Sequence, residues 1–311
     1  MQILNSLIPL FSIILLGMLL RRQEFLTAES TQALNKFAYW FGLPLFLFYK
    51  LATADSIEPS ITGIPGGLLI SAVLILLVGW IAALVFRIPV DIRGATIQAS
   101  FRGNLAFMGL PLIFFLLEGL PIPQKSSIEA VVIVGLAPVI LLYNVCSVVV
   151  LSAYNKQSQH QTAWKLFGNV VTNPLIWACI LGVAYRFLDW PLPVAVERTC
   201  SIVGASGFPM ALLGIGSQLI SIPGGSRWKE SLLPSTIKCI IGPLIGFTVG
   251  KLLGLSGIEL QIVVLLSGMP TAVSSFVLAD QLEADSDFAA TAIIVCTAIS
   301  LPSLSLLMLL L

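Results

Sequence analysis

The stretch FRGNLAFMGLP, Phe101 to Pro111, lies inside a long apolar run and interrupts it with an arginine, an asparagine, two glycines and a proline. Pro111 has no N–H to give a helix ladder and its ring crowds the carbonyl of Phe107, four residues back, while Gly109 adds a flexible link beside it. A continuous helix is not expected here, and the break is placed at Gly109–Pro111. Whether the break is a tolerated kink or a site depends on what surrounds it.

The surroundings are a bilayer. The chain is 57% hydrophobic and only 10% charged, with a mean hydropathy of +1.00, whereas charged residues make up about a quarter of an ordinary soluble domain. Apolar runs of roughly 18 to 25 residues recur from end to end, each long enough to cross about 30 Å of hydrocarbon at about 1.5 Å per residue. They predict ten spans: Ile3–Leu20, Gln32–Leu51, Ile64–Phe86, Thr96–Leu117, Ile128–Ala153, Leu166–Leu188, Val194–Ile220, Ser231–Leu253, Gln261–Leu282 and Phe288–Leu310. The most polar connection, residues 154–163, is only a linker, so no soluble domain hangs outside the membrane and function is expected within the bundle. A β-barrel would show short alternating strands instead of uninterrupted apolar runs. A secretory signal carries its positive charges before its apolar core, but Arg21 and Arg22 follow the first one, so this span is expected to stay.

Positive charge orients the chain. Loops after spans one, three, five and seven hold Arg21, Arg22, Arg87, Arg93, Lys156, Lys165, Arg227 and Lys229, eight in all. The opposite loops hold Lys125, Arg186 and Lys251, with Lys50 and Arg198 at span ends. The first set is expected to face the cytoplasm, which puts both termini outside. The five cysteines, Cys146, Cys179, Cys200, Cys239 and Cys296, are scattered in apolar spans without a CxxC pair and read as small hydrophobes, neither a disulfide framework nor a metal site. His160, the one histidine, sits in the polar linker and reads as solvated.

A displacement of 165 positions takes Pro9 to Pro174, Gly17 to Gly182, Gly42 to Gly207 and Pro44 to Pro209; steps of 159 and 164 take Pro111 to Pro270 and Pro138 to Pro302. Two halves of five spans, residues 3–153 and 164–311, are thereby superimposed. Because five is odd, the second half enters the membrane inverted, the plan of many secondary transporters. The opening stretch then has a partner: MGLP in span four is matched by SGMPTAVSS, Ser267 to Ser275, in span nine. Two broken helices are expected to cross near the midplane, where freed backbone groups must face protein or a wet cavity.

The half-helices starting near Pro111 and Pro270 would aim N–H groups at that centre, each end carrying roughly half a positive charge, which favours an anion. Asn104 adds two donors and an acceptor, and Thr271, Ser274 and Ser275 add hydroxyls. The predicted site is Asn104, Gly109, Pro111, Gly268, Pro270, Thr271, Ser274 and Ser275. Ordinary helix-to-helix packing is the alternative for these residues. Arg102, Lys238 and Asp280 lie in apolar surroundings in the cytoplasmic half; either Asp280 neutralises one of the cations while a cation attracts substrate, or all three reach for headgroups from helix ends. A ladder of Gly242, Gly246, Gly250 and Gly254 reads first as a packing face.

NLAFMGLP (Asn104–Pro111), MPTAVSSFVLADQL (Met269–Leu282), Asn173–Pro174 and FGLPLFLF (Phe41–Phe48) resemble the auxin efflux carrier family, whose members include plant PIN proteins and bacterial malonate or malate carriers. The resemblance covers essentially the whole chain. It implies ten helices in an inverted repeat with the bile-acid/sodium symporter-like architecture: a scaffold of spans one, two, six and seven, a transport domain from the rest, elevator-type movement and a homodimer joined through the scaffold. It also implies that Asn104 to Pro111, with Pro270 and its followers, form the substrate crossing. The large central cytoplasmic loop of the plant relatives is missing here.

The expected activity is secondary transport of a small organic anion, carboxylate or auxin-like, by alternating access, with no cofactor and with coupling to proton or sodium left open. A sodium-coupled organic-acid symporter and, behind it, a channel are the alternatives. An intramembrane enzyme lacks its parts, since there is no HExxH and Asp280 is the lone aspartate within a span. Nothing basic enough for nucleic acid is present.

Overall fold

In the computed structural model, residues 2–55, 63–122, 124–154, 173–188, 190–221 and 227–311 are described. Most of the expected linker, with Lys156 and His160, lies outside them, as does Lys165. The described residues are helical, and the one extended pairing among them is an isolated antiparallel bridge between Gly103 and Thr271. In chain order the helices are α1 (Gln2–Arg22), α2 (Ala28–Phe37), α3 (Leu43–Ala52), α4 (Gly63–Val85), α5 (Val90–Phe101), α6 (Leu110–Glu118) and α7 (Lys125–Ala153). They continue as α8 (Pro174–Arg186), α9 (Val194–Ser221), α10 (Leu232–Thr236), α11 (Gly242–Leu252), α12 (Gly257–Ser267), α13 (Ser274–Gln281) and α14 (Ser286–Leu310).

Three π turns join some of these: Ala38–Gly42 before α3, Leu105–Gly109 before α6 and Ile237–Ile241 before α11. Each ends two residues before a proline, Pro44, Pro111 or Pro243. The rule is steric. A proline offers no N–H and pushes on the carbonyl four residues back; widening the preceding turn lets Leu43 N–H reach back to the Ala38 carbonyl and Gly242 N–H to that of Ile237, five residues away in both cases. The helix swells at the proline and continues. The expected break at Gly109–Pro111 is therefore corrected: Pro111 sits in the first turn of α6, and the true interruption is at Arg102–Asn104, where α5 has ended at Phe101.

Five helices are long and apolar enough to cross a membrane among the described residues, and Leu105–Glu118, Pro174–Arg186 and Gly257–Ser267 are shorter apolar helices. Of these shorter ones, Leu105–Glu118 and Gly257–Ser267 come from interrupted stretches of helix. On α4 the large residues Leu74, Leu77, Ile81 and Leu84 are exposed while Gly67, Ser71, Gly79 and Ala83 are buried. That is a lipid-facing pattern, with bulk outward and small residues at the helix contacts.

The chain forms two compact units. The first comprises residues 1–62, 106–137 and 172–221. Here α9 packs along α1, α2, the first π turn and α3, and α3 packs on α8. Its glycines make this possible: a Cβ on Gly204 would come 2.8 Å from the Phe46 Cα, and one on Gly42 would come 2.5 Å from the Gly207 Cα. A Cβ on Gly17 would meet the Leu213 Cα at 2.9 Å, and one on Gly182 the Phe48 carbonyl oxygen at 3.0 Å. The displacement of 165 that takes Gly17 to Gly182 also takes Phe48 to Leu213, so the two contacts are exchanged by it. Phe46, Phe114 and Phe208 cluster with ring centroids 4.8 to 5.7 Å apart. Asn173 caps α8 by accepting from Leu175 N–H at 2.9 Å, with Pro174 in the first turn, so this dipeptide is a helix start.

The second unit comprises residues 63–105, 138–171 and 222–311. In it α11 packs on α12 and α4, and α14 packs on α5, α10 and α13. The glycine ladder serves that packing: Cβ atoms on Gly242 and Gly246 would stand 2.7 Å from the Ser267 carbonyl oxygen and hydroxyl. Gly254 is not part of the face; at φ +77° it ends α11 in the left-handed conformation, and Leu255 N–H closes on the Gly250 carbonyl at 2.9 Å.

At one end of this unit Arg227 Nη1 donates to Asp91 Oδ2 at 2.7 Å and lies 3.8 Å from Asp285. The Arg227 hydrogen bond holds the Asp91 carboxyl below the usual carboxylate range. A carboxyl so depressed contributes stability above its unfolded pKa, and that contribution is lost as pH falls through the folded value. The pair is exposed, so the effect is small. We expect Asp91→Asn to lower the thermal midpoint slightly at pH 7, and the difference from wild type to vanish once the pH lies well below the ordinary carboxylate value of about 4.

Candidate functional site

The two interruptions meet within the second unit. After α5 ends at Phe101, Arg102, Gly103 and Asn104 run extended, and after α12 ends at Ser267 the chain stays non-helical until Ser274. The segments pair antiparallel: Asn104 N–H donates to the Pro270 carbonyl at 2.8 Å and Ala272 N–H to the Arg102 carbonyl at 2.9 Å. The Thr271 hydroxyl donates to the Ala99 carbonyl, one of those freed at the end of α5, at 2.8 Å, and Thr271 N–H points to Cys296 Sγ at 3.3 Å. Broken helices must satisfy their backbone in a dry interior, and each break here supplies partners for the other.

The carbonyl end of α12 is fully accounted for. Gly268 N–H reaches the Val264 and Leu265 carbonyls at 3.1 Å, Met269 N–H that of Leu266 at 3.3 Å, and Lys238 Nζ that of Ser267 at 2.8 Å. Lys238 lies in the third π turn and is wholly buried. Arg102 is nearly so, and its Nη2 donates to Asn144 Oδ1 at 3.0 Å and to Ser274 Oγ, at the start of α13, at 3.2 Å. The crossing therefore gathers two cations, and among the described residues no carboxylate forms an ion pair with Lys238.

Several buried polar atoms here have no partner: Asn104 Nδ2, the Ser275 hydroxyl and both ends of the Gln98 amide. Leaving a polar group buried and unbonded costs about 1–3 kcal/mol each.

Of the predicted residues, the structure brings Asn104, Gly268, Pro270, Thr271, Ser274 and Ser275 to this crossing, with Arg102 and Lys238. Gly268 is there for space, since a Cβ would stand 2.7 Å from Pro243 Cγ. Gly109 ends the second π turn and Pro111 lies in the first turn of α6, both in the segment assigned to the first unit. Asp280 is exposed near the end of α13, and in this structure Arg102 and Lys238 are bonded by the partners just named.

Sequence reading missed Gln98, Asn144, Tyr143 and Cys296. The first two were detectable as amides inside apolar runs; Tyr143, whose ring meets Phe101 edge-on at 5.6 Å, and Cys296 carry no such signal. It also missed an ion pair in the first unit. Lys50 Nζ binds Glu129 Oε2 at 2.7 Å and stands over the Phe46 and Phe114 rings at 5.5 and 5.7 Å.

Residues 2–308 match the family model described as "Membrane transport protein". A putative malonate transporter of Rhizobium meliloti is 24% identical over 98% of this chain and 94% of its own length. Auxin efflux carrier component 5 of Arabidopsis thaliana is 22% identical over 97% of this chain and 95% of its own. An uncharacterized transporter of Methanothermobacter thermautotrophicus is 22% identical over 97% and 96%.

Proposed function

The chain belongs to the membrane transport protein family, that of the auxin efflux carriers, and is an integral multi-pass membrane transporter; from this premise we propose that it carries a small organic anion, of the carboxylate class, by alternating access. The observation that carries the reading is the Asn104 amide: buried at the crossing, with its N–H groups unpartnered, in the same cluster as Arg102 and Lys238. Donors and positive charge without a bound acid suit a carboxylate. Ser275, buried with an unpartnered hydroxyl in the first turn of α13, adds a further donor at a helix end that favours anions.

Ten spans in a 5+5 inverted repeat, with both termini outside the plasma membrane, complete the proposal. The exchange of the Gly17 and Gly182 contacts under one displacement supports the repeat. An elevator-type motion is supported by the division into two units, since the crossing is built wholly from segments of one of them. A carrier of this kind takes up its guest in a wet cavity at the repeat interface.

The test is transport by purified protein in liposomes, using labelled malonate and a panel of other mono- and dicarboxylates. Counterflow is expected to saturate and to accelerate when an unlabelled substrate is present on the far side. Flux that rises linearly with concentration and ignores the far side would mean a channel and would overturn the proposal.

A further inference from the structure

Lys238 is a costly residue to bury in the second unit. A lysine ammonium in a bilayer interior is expensive unless bonded, yet this side chain is 0% exposed. Its partner is the Ser267 carbonyl, the last one of α12, and the three before it are already taken by Gly268 and Met269 N–H groups. The same ammonium also lies against the other break: a Cβ on Gly103 would stand 3.0 Å from Nζ and 2.9 Å from Cε. One tethered cation thus serves the negative end of α12 and fills the space beside the extended segment of the first break.

Carbonyls at the carboxyl ends of broken helices are where sodium-coupled carriers hold their ion. A sodium ion on the Ser267 oxygen would have to displace an ammonium already bonded there, or sit beside a like charge in a medium of low dielectric. We propose that Lys238 is a built-in cation that takes the place of a coupling sodium ion, so that transport through this crossing is sodium-independent. The proposal rests on the reading of the crossing as the transport site. It also fixes where charge moves: a crossing loaded with a monoanion carries one positive charge fewer than the empty crossing, which keeps the charges of both Lys238 and Arg102. Membrane potential then acts more strongly on the return of the empty carrier.

Thermal unfolding of the full chain in detergent tests this without any substrate. In wild type, sodium chloride and choline chloride at equal ionic strength are expected to give the same midpoint. Lys238→Ala opens room beside the Ser267 carbonyl; its midpoint is expected to fall and to recover by at least about 3 °C in methylammonium or sodium chloride relative to choline. A saturable sodium-dependent rise in the wild-type midpoint would overturn the proposal, as would a Lys238→Ala protein indifferent to all these cations. If that variant does not fold, the wild-type response to sodium decides alone. In liposomes the ratio of malonate counterflow with sodium to that with choline is expected to be near one, and tenfold stimulation by sodium would be equally fatal. A protein that moves no carboxylate at all would count against the proposed function, while the unfolding data would still decide the role of Lys238.

Discussion

Replacing Asn104 with aspartate is expected to lower malonate counterflow by at least about 100-fold while leaving the fold intact. The exchange is isosteric, and the backbone N–H that holds the Pro270 carbonyl at 2.8 Å is unaffected. What changes is the side chain's role. The amide offers two donors from a site that is 3% exposed, and the carboxylate offers none. Losing a hydrogen bond to a charged guest costs about 1.5–3 kcal/mol. A second negative charge about 4 Å from the guest adds about 4 kcal/mol of repulsion at an effective dielectric of about 20. Arg102 and Lys238 offset part of that repulsion, but a hundredfold loss needs only about 2.8 kcal/mol. Asn104→Ala, which removes donors without adding charge, should fall by about tenfold. Counterflow within threefold of wild type in the aspartate variant, with an unchanged unfolding midpoint, would remove Asn104 from the site.

That ordering of effects also shows what could be read from the chain before its fold was seen. The bilayer habit, the interruption of two spans and the cluster of Asn104, Thr271 and Ser275 follow from composition and from residue types that a lipid interior tolerates only when bonded. The exact place of the first break does not. Proline was given too much weight: three prolines, Pro44, Pro111 and Pro243, are absorbed by π turns, whereas the chain leaves the helix at Arg102–Asn104, with Gly103 closely packed on the Lys238 side chain. Sequence spacing likewise equated Pro111 with Pro270, although one sits at a helix start and the other in an extended break. Nor could spacing find the partner of a buried charge. Asp280 looked like the acid for a cation because it was the nearest in type, while Lys238 is bonded by a backbone carbonyl, which no residue letter reveals.

The glycines of the first unit give the repeat a thermodynamic test. Gly42 and its counterpart Gly207 face each other: a Cβ on either would come within 2.9 Å of backbone atoms of the other. Backbone cannot step aside as a flexible side chain can, so Gly42→Val should separate the first π turn from α9. Overpacking of this kind costs about 3 kcal/mol, which lowers the unfolding midpoint by roughly 6–12 °C at about 2–4 °C per kcal/mol. The gentler pair Gly42→Ala and Gly207→Ala tests symmetry. Both wedge the same two backbones apart, so once one methyl has opened the contact the second has less left to do, and the double variant should cost less than the two single ones together by at least about 0.5 kcal/mol. Gly17→Ala and Gly182→Ala are also related by the displacement of 165, but their methyls meet different partners, Leu213 in one case and Phe48 with Leu51 in the other. Their costs should add to within about 0.5 kcal/mol. A pseudo-two-fold axis requires this contrast, because a residue on the axis touches its own counterpart and a residue off it does not. Additive costs at Gly42 and Gly207 would mean that the displacement relates residue types along the chain without relating their contacts, and the inverted repeat would lose its support.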